Sequence, residues 1–168
     1  GVTTTRVDLF WKDIAPSRPA APSDPADPAY DFARADLIML GLAKRGITPI
    51  VSVYNAPRWA TGGPPSVAAV NPNAPNPQDL GQFMGTLAAR YSGAFISPGG
   101  EKLPEVRHFE IWNEPNLIGF FRYNGRSSLP RYKALVKAAS PPIKAAHRQA
   151  VVIAGLPRPP SRTRGRTP

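Results

Sequence analysis

Four strand-like segments with helical segments between them predict an α/β fold, and two further observations narrow it. The strands begin near residues 2, 47, 106 and 150, a spacing that suits half of a (β/α)8 barrel. No glycine-rich phosphate turn follows any strand, so the rival doubly wound sheet lacks its usual support.

Each element has a local reason. Residues 2–9 (VTTTRVDL) read as the first strand, followed by a proline-rich loop over 14–28. A helix is expected over 30–45, with Phe32, Ala35, Ile38, Met39 and Leu42 at helical spacing and Gly46 as its stop. Residues 47–53 (ITPIVSV) form the second strand. The loop over 54–76 carries Trp59 and many prolines, and its length suggests a functional loop. Asn76 then caps a helix with Pro77 at its first position, running to about residue 91. The third strand covers 106–112, where Val106, Phe109, Ile111 and Trp112 favour β structure. A further helix begins near Leu129, and the Pro141-Pro142 pair is expected to end or kink it around Ser140. Residues 149–155 (QAVVIAG) close the ordered region as the fourth strand.

The 168 residues are 42% hydrophobic, enough for one domain with a core. Residue 1 is Gly, strand character begins at once, and no targeting segment is expected in the sequence. No apolar run approaches the roughly 20 residues that cross a bilayer. There are no cysteines, hence no disulfide or thiolate chemistry, and neither compartment is excluded. The net charge of +10 is unevenly placed: residues 157–168 hold Arg158, Arg162, Arg164 and Arg166 without an acid. In the first 156 residues 17 bases therefore face 11 acids, a net +6. These bases are scattered and lack interleaved aromatics, so nucleic acid is not an expected partner. The composition changes after Leu156 to alternating Pro, Arg, Ser and Thr. The chain is therefore divided into a domain over 1–156 and a basic tail over 157–168, which is either disordered or the product of a frame error or truncation near Leu156. The Ala, Arg and Pro richness suggests a high-GC bacterial gene.

The most informative run is His108-Phe-Glu-Ile-Trp-Asn-Glu-Pro-Asn116. It puts an Asn-Glu pair at the carboxyl end of a strand, where barrel enzymes hold their chemistry, and Pro115 ends strand pairing because it has no N–H to donate. A carboxyl group at that tip, beside the apolar surface of Trp112, can have its pKa raised and hold a proton for a leaving group. Glu114 is thus a candidate general acid; the alternative is a solvated Glu in a turn.

Several segments together resemble the clan A retaining glycoside hydrolases, of the family 39 and family 5 type. Gly1-Val-Thr-Thr-Thr-Arg6-Val-Asp-Leu-Phe-Trp11-Lys-Asp-Ile-Ala-Pro16 is similar to the second barrel strand and its loop. Gly46-Ile-Thr-Pro-Ile-Val-Ser-Val-Tyr-Asn-Ala-Pro57-Arg-Trp59-Ala resembles the third strand with its Pro-x-Trp loop. Glu110-Ile-Trp-Asn-Glu114-Pro-Asn resembles the fourth-strand motif, and Ala150-Val-Val-Ile-Ala-Gly-Leu156 the fifth strand. The resemblance implies a partial (β/α)8 barrel holding approximately strands 2 to 5, a glycoside or polysaccharide as substrate, secretion, and no cofactor.

In such enzymes two carboxylates flank the scissile bond about 5 Å apart, one as acid/base and one as nucleophile. The resemblance makes Glu114 the acid/base and Asn113 the ligand of the sugar 2-hydroxyl. It places the nucleophile on the seventh strand, beyond the fifth that the sequence reaches, so no turnover is expected from these 168 residues alone. Glu101 and Glu105 precede the strand, and Glu110 lies about 13 Å before Glu114 at roughly 3.3 Å per residue, so none substitutes. Substrate-binding candidates are Trp59, Arg6, Asn55 and Trp112. Trp59 is either a sugar-stacking platform or a packed loop anchor. Arg6 either holds the nucleophile ionised or pairs with Asp8. Asn55 faces substrate or makes a turn, and Trp112 with Trp11 contributes chiefly packing at the barrel top. His108 and His147 have no partners at metal-ligand spacing, so no metal is expected. The reading from another class is a noncatalytic carbohydrate-binding or interaction module built on a half-barrel.

Overall fold

The structure is a computed structural model and describes residues 1–61 and 71–155. In chain order it contains β1 (Thr4–Phe10), α1 (Trp11–Ile14), α2 (Ala33–Ala43), β2 (Thr48–Tyr54), α3 (Arg58–Thr61), α4 (Pro77–Arg90), β3 (His108–Ile111), α5 (Leu129–Ala146) and β4 (Val151–Ala154). The four strands pair in parallel in the order β1-β2-β3-β4. Parallel neighbours need a crossover, and helical segments supply each one. The fold is thus α/β with the strand order of a partial barrel. The tail over 157–168 lies outside the described residues. No described helix is long and apolar enough to cross a membrane.

Register sorts the sheet into two faces, because cross-strand partners point the same way. Val7, Val51, Phe109 and Val152 share one level of the helix-covered face, and Leu9, Val53, Ile111 and Ala154 share the next. Val51, Val53, Phe109 and Ile111 are wholly buried there, in one core with Met39 of α2, Leu80, Phe83, Met84 and Leu87 of α4, and Leu135 and Ile143 of α5. The opposite face carries Arg6, Ile50, His108 and Val151 at one level and Asp8, Ser52, Glu110 and Ile153 at the next. A polar row in strands whose other face is apolar marks the face that lines a barrel's interior.

Helix α4 starts where local chemistry puts it. The Asn76 side chain accepts from the backbone N–H of Gln78 at 2.8 Å, and Pro77 occupies the first helical position. Its far end is clamped to α2: Arg90 donates to both oxygens of Asp36 at 2.9 and 2.6 Å, and Tyr91 donates to the same carboxylate at 2.8 Å.

Of the two expectations near Ser140, an end or a kink, the end does not occur: α5 runs through Pro141 and Pro142 to Ala146. An interior proline costs about 3 kcal/mol. Continuing the helix places Ile143 beyond the pair, fully buried, and burying such a side chain returns about 1.5–3 kcal/mol. The prolines also fit their partner. A Cβ built on Gly81 would stand 2.6 Å from the Ala138 carbonyl oxygen, and one on Gly85 would stand 2.9 Å from Cβ of Pro142. Glycine at these two α4 positions is what lets the proline-bearing turn approach.

Two predictions follow from this packing. Gly81→Ala or Gly85→Ala should each lower stability by about 1–3 kcal/mol, because neither a carbonyl nor a proline ring yields easily; a denaturant midpoint equal to that of the parent would refute the close contact. Burial pushes the Tyr30 phenol up to about 12 and raises Tyr91 as well. Between pH 10 and 12 the unfolded chain releases protons that the folded chain keeps, so this stabilising contribution is present below pH 10 and is lost as pH rises. Urea midpoints should therefore fall across that interval, and a flat profile would contradict the burial.

Candidate functional site

The strand tips gather the site. β3 ends at Ile111, and the next three residues leave the sheet through a turn in which Trp112 has φ 69° and Glu114 φ 41°. Left-handed backbone is costly for residues with a Cβ and persists only where the surroundings impose it. Trp112 supplies the constraint. It is fully buried, its backbone N–H donates to Val53 O at 2.9 Å, and its indole N–H donates to Phe120 O at 2.8 Å. Its ring meets Phe121 edge-on at 5.6 Å. Behind it, a Cβ on Gly155 would lie 2.3 Å from the Trp112 carbonyl oxygen. With Trp112 held, Asn113 and Glu114 project from the sheet end, each half-buried.

Below them, Arg6 reaches up the polar face. Its Nε donates to Glu110 Oε2 at 2.7 Å, and its Nη2 donates to Ser52 Oγ at 2.7 Å and to Asn113 Oδ1 at 2.8 Å. Its Nη1 pairs with Asp8 Oδ1 at 2.9 Å. Partial burial works against the charge on Arg6, but the hydrogen bond it donates to Glu110 and the charges of Glu110 and Asp8 outweigh it and raise its pKa. Tyr54, at the tip of β2, donates its hydroxyl to Asp8 Oδ2 at 3.2 Å. Burial first, then the Asp8 charge, pushes its phenol up to about 12, with a smaller contribution from Glu114. Tyr54 therefore stays protonated, a donor at neutral pH. Phe10 and Phe120 flank its ring at 5.1 and 6.3 Å.

Arg6 and Asn113 thus meet at one end of the sheet with Glu114 next in the chain, and the other candidates do not join them as open surfaces. Asn55 (φ 58°) is fully buried, and its Oδ1 accepts from the Asn71 backbone at 2.7 Å while its carbonyl accepts from Lys12 N. It secures the base of the loop, as a turn-making residue would. Trp112 is wholly buried, and its ring packs at the top of the sheet. Trp59 is half-buried, with its indole N–H on Ala15 O at 2.8 Å, the Arg18 guanidinium 4.6 Å over its ring and Trp11 edge-on at 5.4 Å. These are the surroundings of a loop anchor. His147 lies 3.4 Å from Glu105, and no group of three possible metal ligands gathers among the described residues.

Sequence reasoning passed over Ser52, Tyr54 and Glu110 as site residues. The signal was polar residues at alternate positions of apolar strands, Arg6 with Asp8, Ser52 with Tyr54, and Glu110 beside Phe109 and Ile111. Which of them meet depends on inter-strand register, which no single strand encodes.

The strained turn is testable. Glu114→Gly removes a left-handed Cβ, so it should leave stability unchanged or raise it by up to about 1 kcal/mol, whereas Glu114→Ile should lower it by about 1–2 kcal/mol. Chemical denaturation in the reverse order would show that no strain resides at this position.

Comparisons with known proteins place the fold and the family. The profile of glycosyl hydrolases family 39 matches residues 4–155. A family 39 glycoside hydrolase from the gut symbiont Bacteroides cellulosilyticus WH2 superposes with a TM-score of 0.53 at 20% identity, over 91% of this chain and 26% of the other. A glucosidase from Croceicoccus marinus superposes with a TM-score of 0.62 at 20% identity, over 93% of this chain and 31% of the other. The chain therefore spans about a quarter to a third of the length of these two structures, and at such identity their likeness shows the fold. No curated protein matches. With the profile covering β1 through β4 and the Asn113-Glu114 tip, the chain belongs to family 39 of the glycosyl hydrolases.

Proposed function

We propose that this chain is part of a retaining glycoside hydrolase in which Glu114 is the acid/base and Asn113 binds the sugar 2-hydroxyl. The observation that carries the reading is the Asn113-Glu114 pair, set at the carboxyl end of β3 in a strained turn and joined through Asn113 to Arg6, which pairs with the buried Glu110. A protonated Glu114 delivers its proton to the glycosidic oxygen as the bond to the anomeric carbon lengthens, and its carboxylate then takes a proton from the attacking water. Asn113 contributes most when the bond it makes to the 2-hydroxyl strengthens in the oxocarbenium-like transition state. Tyr54 and Asp8 line the same end of the sheet, and with the Tyr54 O–H given to Asp8 the phenol oxygen and the carboxylate offer acceptors to further sugar hydroxyls. We assign the nucleophile to a barrel strand outside the 168 residues.

A small anion can stand in for that nucleophile. With azide present, the 168-residue chain should release 4-nitrophenol from a 4-nitrophenyl glucoside, and without azide it should not. Glu114→Gln should abolish release of 4-nitrophenol. It should spare release from the 2,4-dinitrophenyl glucoside, whose leaving group needs no acid. Azide-independent turnover that survives Glu114→Gln would overturn the assignment.

A further inference from the structure

An asparagine can turn either end of its amide toward a neighbour, since the oxygen and nitrogen ends are nearly the same size. At Asn113 the neighbour decides. Arg6 Nη2 stands 2.8 Å away, and a guanidinium only donates, so the carbonyl end faces Arg6 and the NH2 end faces the other way. The direction of Arg6 is set in turn. Arg6 starts at the level of Ile50 and His108 and extends past the level of Asp8, Ser52 and Glu110. Glu110 is 3% exposed and takes Nε at 2.7 Å, while Ser52 Oγ takes Nη2 at 2.7 Å. A buried carboxylate held by a planar fork defines a direction far more strictly than a lysine ammonium would.

We propose that Glu110 is a positioning residue: through Arg6 it fixes the Asn113 amide so that the NH2 group, rather than the carbonyl, is presented to the sugar 2-hydroxyl oxygen. The inference rests on Asn113 as a sugar ligand, and the orientation itself is measurable without substrate. It carries a specificity. A 2-hydroxyl accepts from this NH2, whereas a 2-ammonium group only donates and meets a donor, so 2-amino sugars are disfavoured.

The test is a nuclear magnetic resonance measurement on 15N-labelled protein. The Arg6 Nε–H signal and the Asn113 side-chain NH2 pair are assigned by their loss in Arg6→Lys and Asn113→Asp. In Glu110→Gln the Arg6 signal should move upfield and the Asn113 pair should shift with it, while the side-chain pair of Asn76, which caps α4, stays in place. An Asn113 pair that does not move, or a shift shared by Asn76, overturns the proposal. Should Glu110→Gln fail to fold, Glu110→Asp keeps the charge but withdraws the carboxylate from Arg6 Nε and is read in the same way. Failure here leaves azide-dependent turnover untouched, and failure of turnover leaves the spectrum untouched, so the two readings separate.

Discussion

The guanidinium of Arg6 is the point on which the described structure turns. It begins on β1 and makes contacts of 2.7–2.9 Å with Ser52 of β2, Glu110 of β3, Asn113 of the following turn and Asp8 of its own strand. Three strands and the site turn are thereby referred to one planar group. The desolvated Glu110 needs it, because an unpaired carboxylate at 3% exposure would be costly. The opposite face of the sheet is held by non-directional apolar packing, which tolerates small slippage. On the polar face angular precision comes from the Arg6 fork, and the candidate chemistry sits on that face.

The second constraint is Trp112. A large side chain in left-handed backbone is a poor local choice, yet two hydrogen bonds, an edge-on aromatic contact and the absence of a side chain at Gly155 all favour it. The cost of order 1–3 kcal/mol for each such residue is met by this packing. The turn trades stability for the aim of the two residues that follow Trp112. In the proposed function Asn113 and Glu114 carry the chemistry, and the bulk beside them acts as their footing.

Much of the fold was legible because its signals are local. The Asn76-Pro77 start of α4 needs only the cap geometry of its own turn, and it is found where expected. β3 is shorter than the expected 106–112, because Val106 donates to Tyr91 and Trp112 has already turned out of the strand. The proline pair in α5 follows the same logic from the other side: the local rule says stop, while Gly81 and Gly85, more than 50 positions earlier, provide a surface that rewards continuing. In the site, Glu114 and Asn113 could be read from a contiguous motif. The roles of Glu110, Ser52 and Tyr54 could not, since they arise from strand register and from the reach of Arg6. Trp59 and Asn55 show the converse, residue types suited to sugar contact that the loop uses to fasten itself.

The contact between α4 and α5 also bears on how such a sequence can change over time. Gly81 and Gly85 fit only a neighbour shaped like the turn through Ala138 and Pro142. A side chain gained at Gly81 meets the Ala138 carbonyl whatever stands at 142, and one gained at Gly85 meets Pro142. Loss of Pro142 alone leaves Gly85 with its flexibility and nothing gained from it. Gly85 and Pro142 are therefore coupled, so a change at one is best tolerated together with a change at the other, whereas Gly81 is held by backbone and the exposed faces of both helices are free to vary one residue at a time.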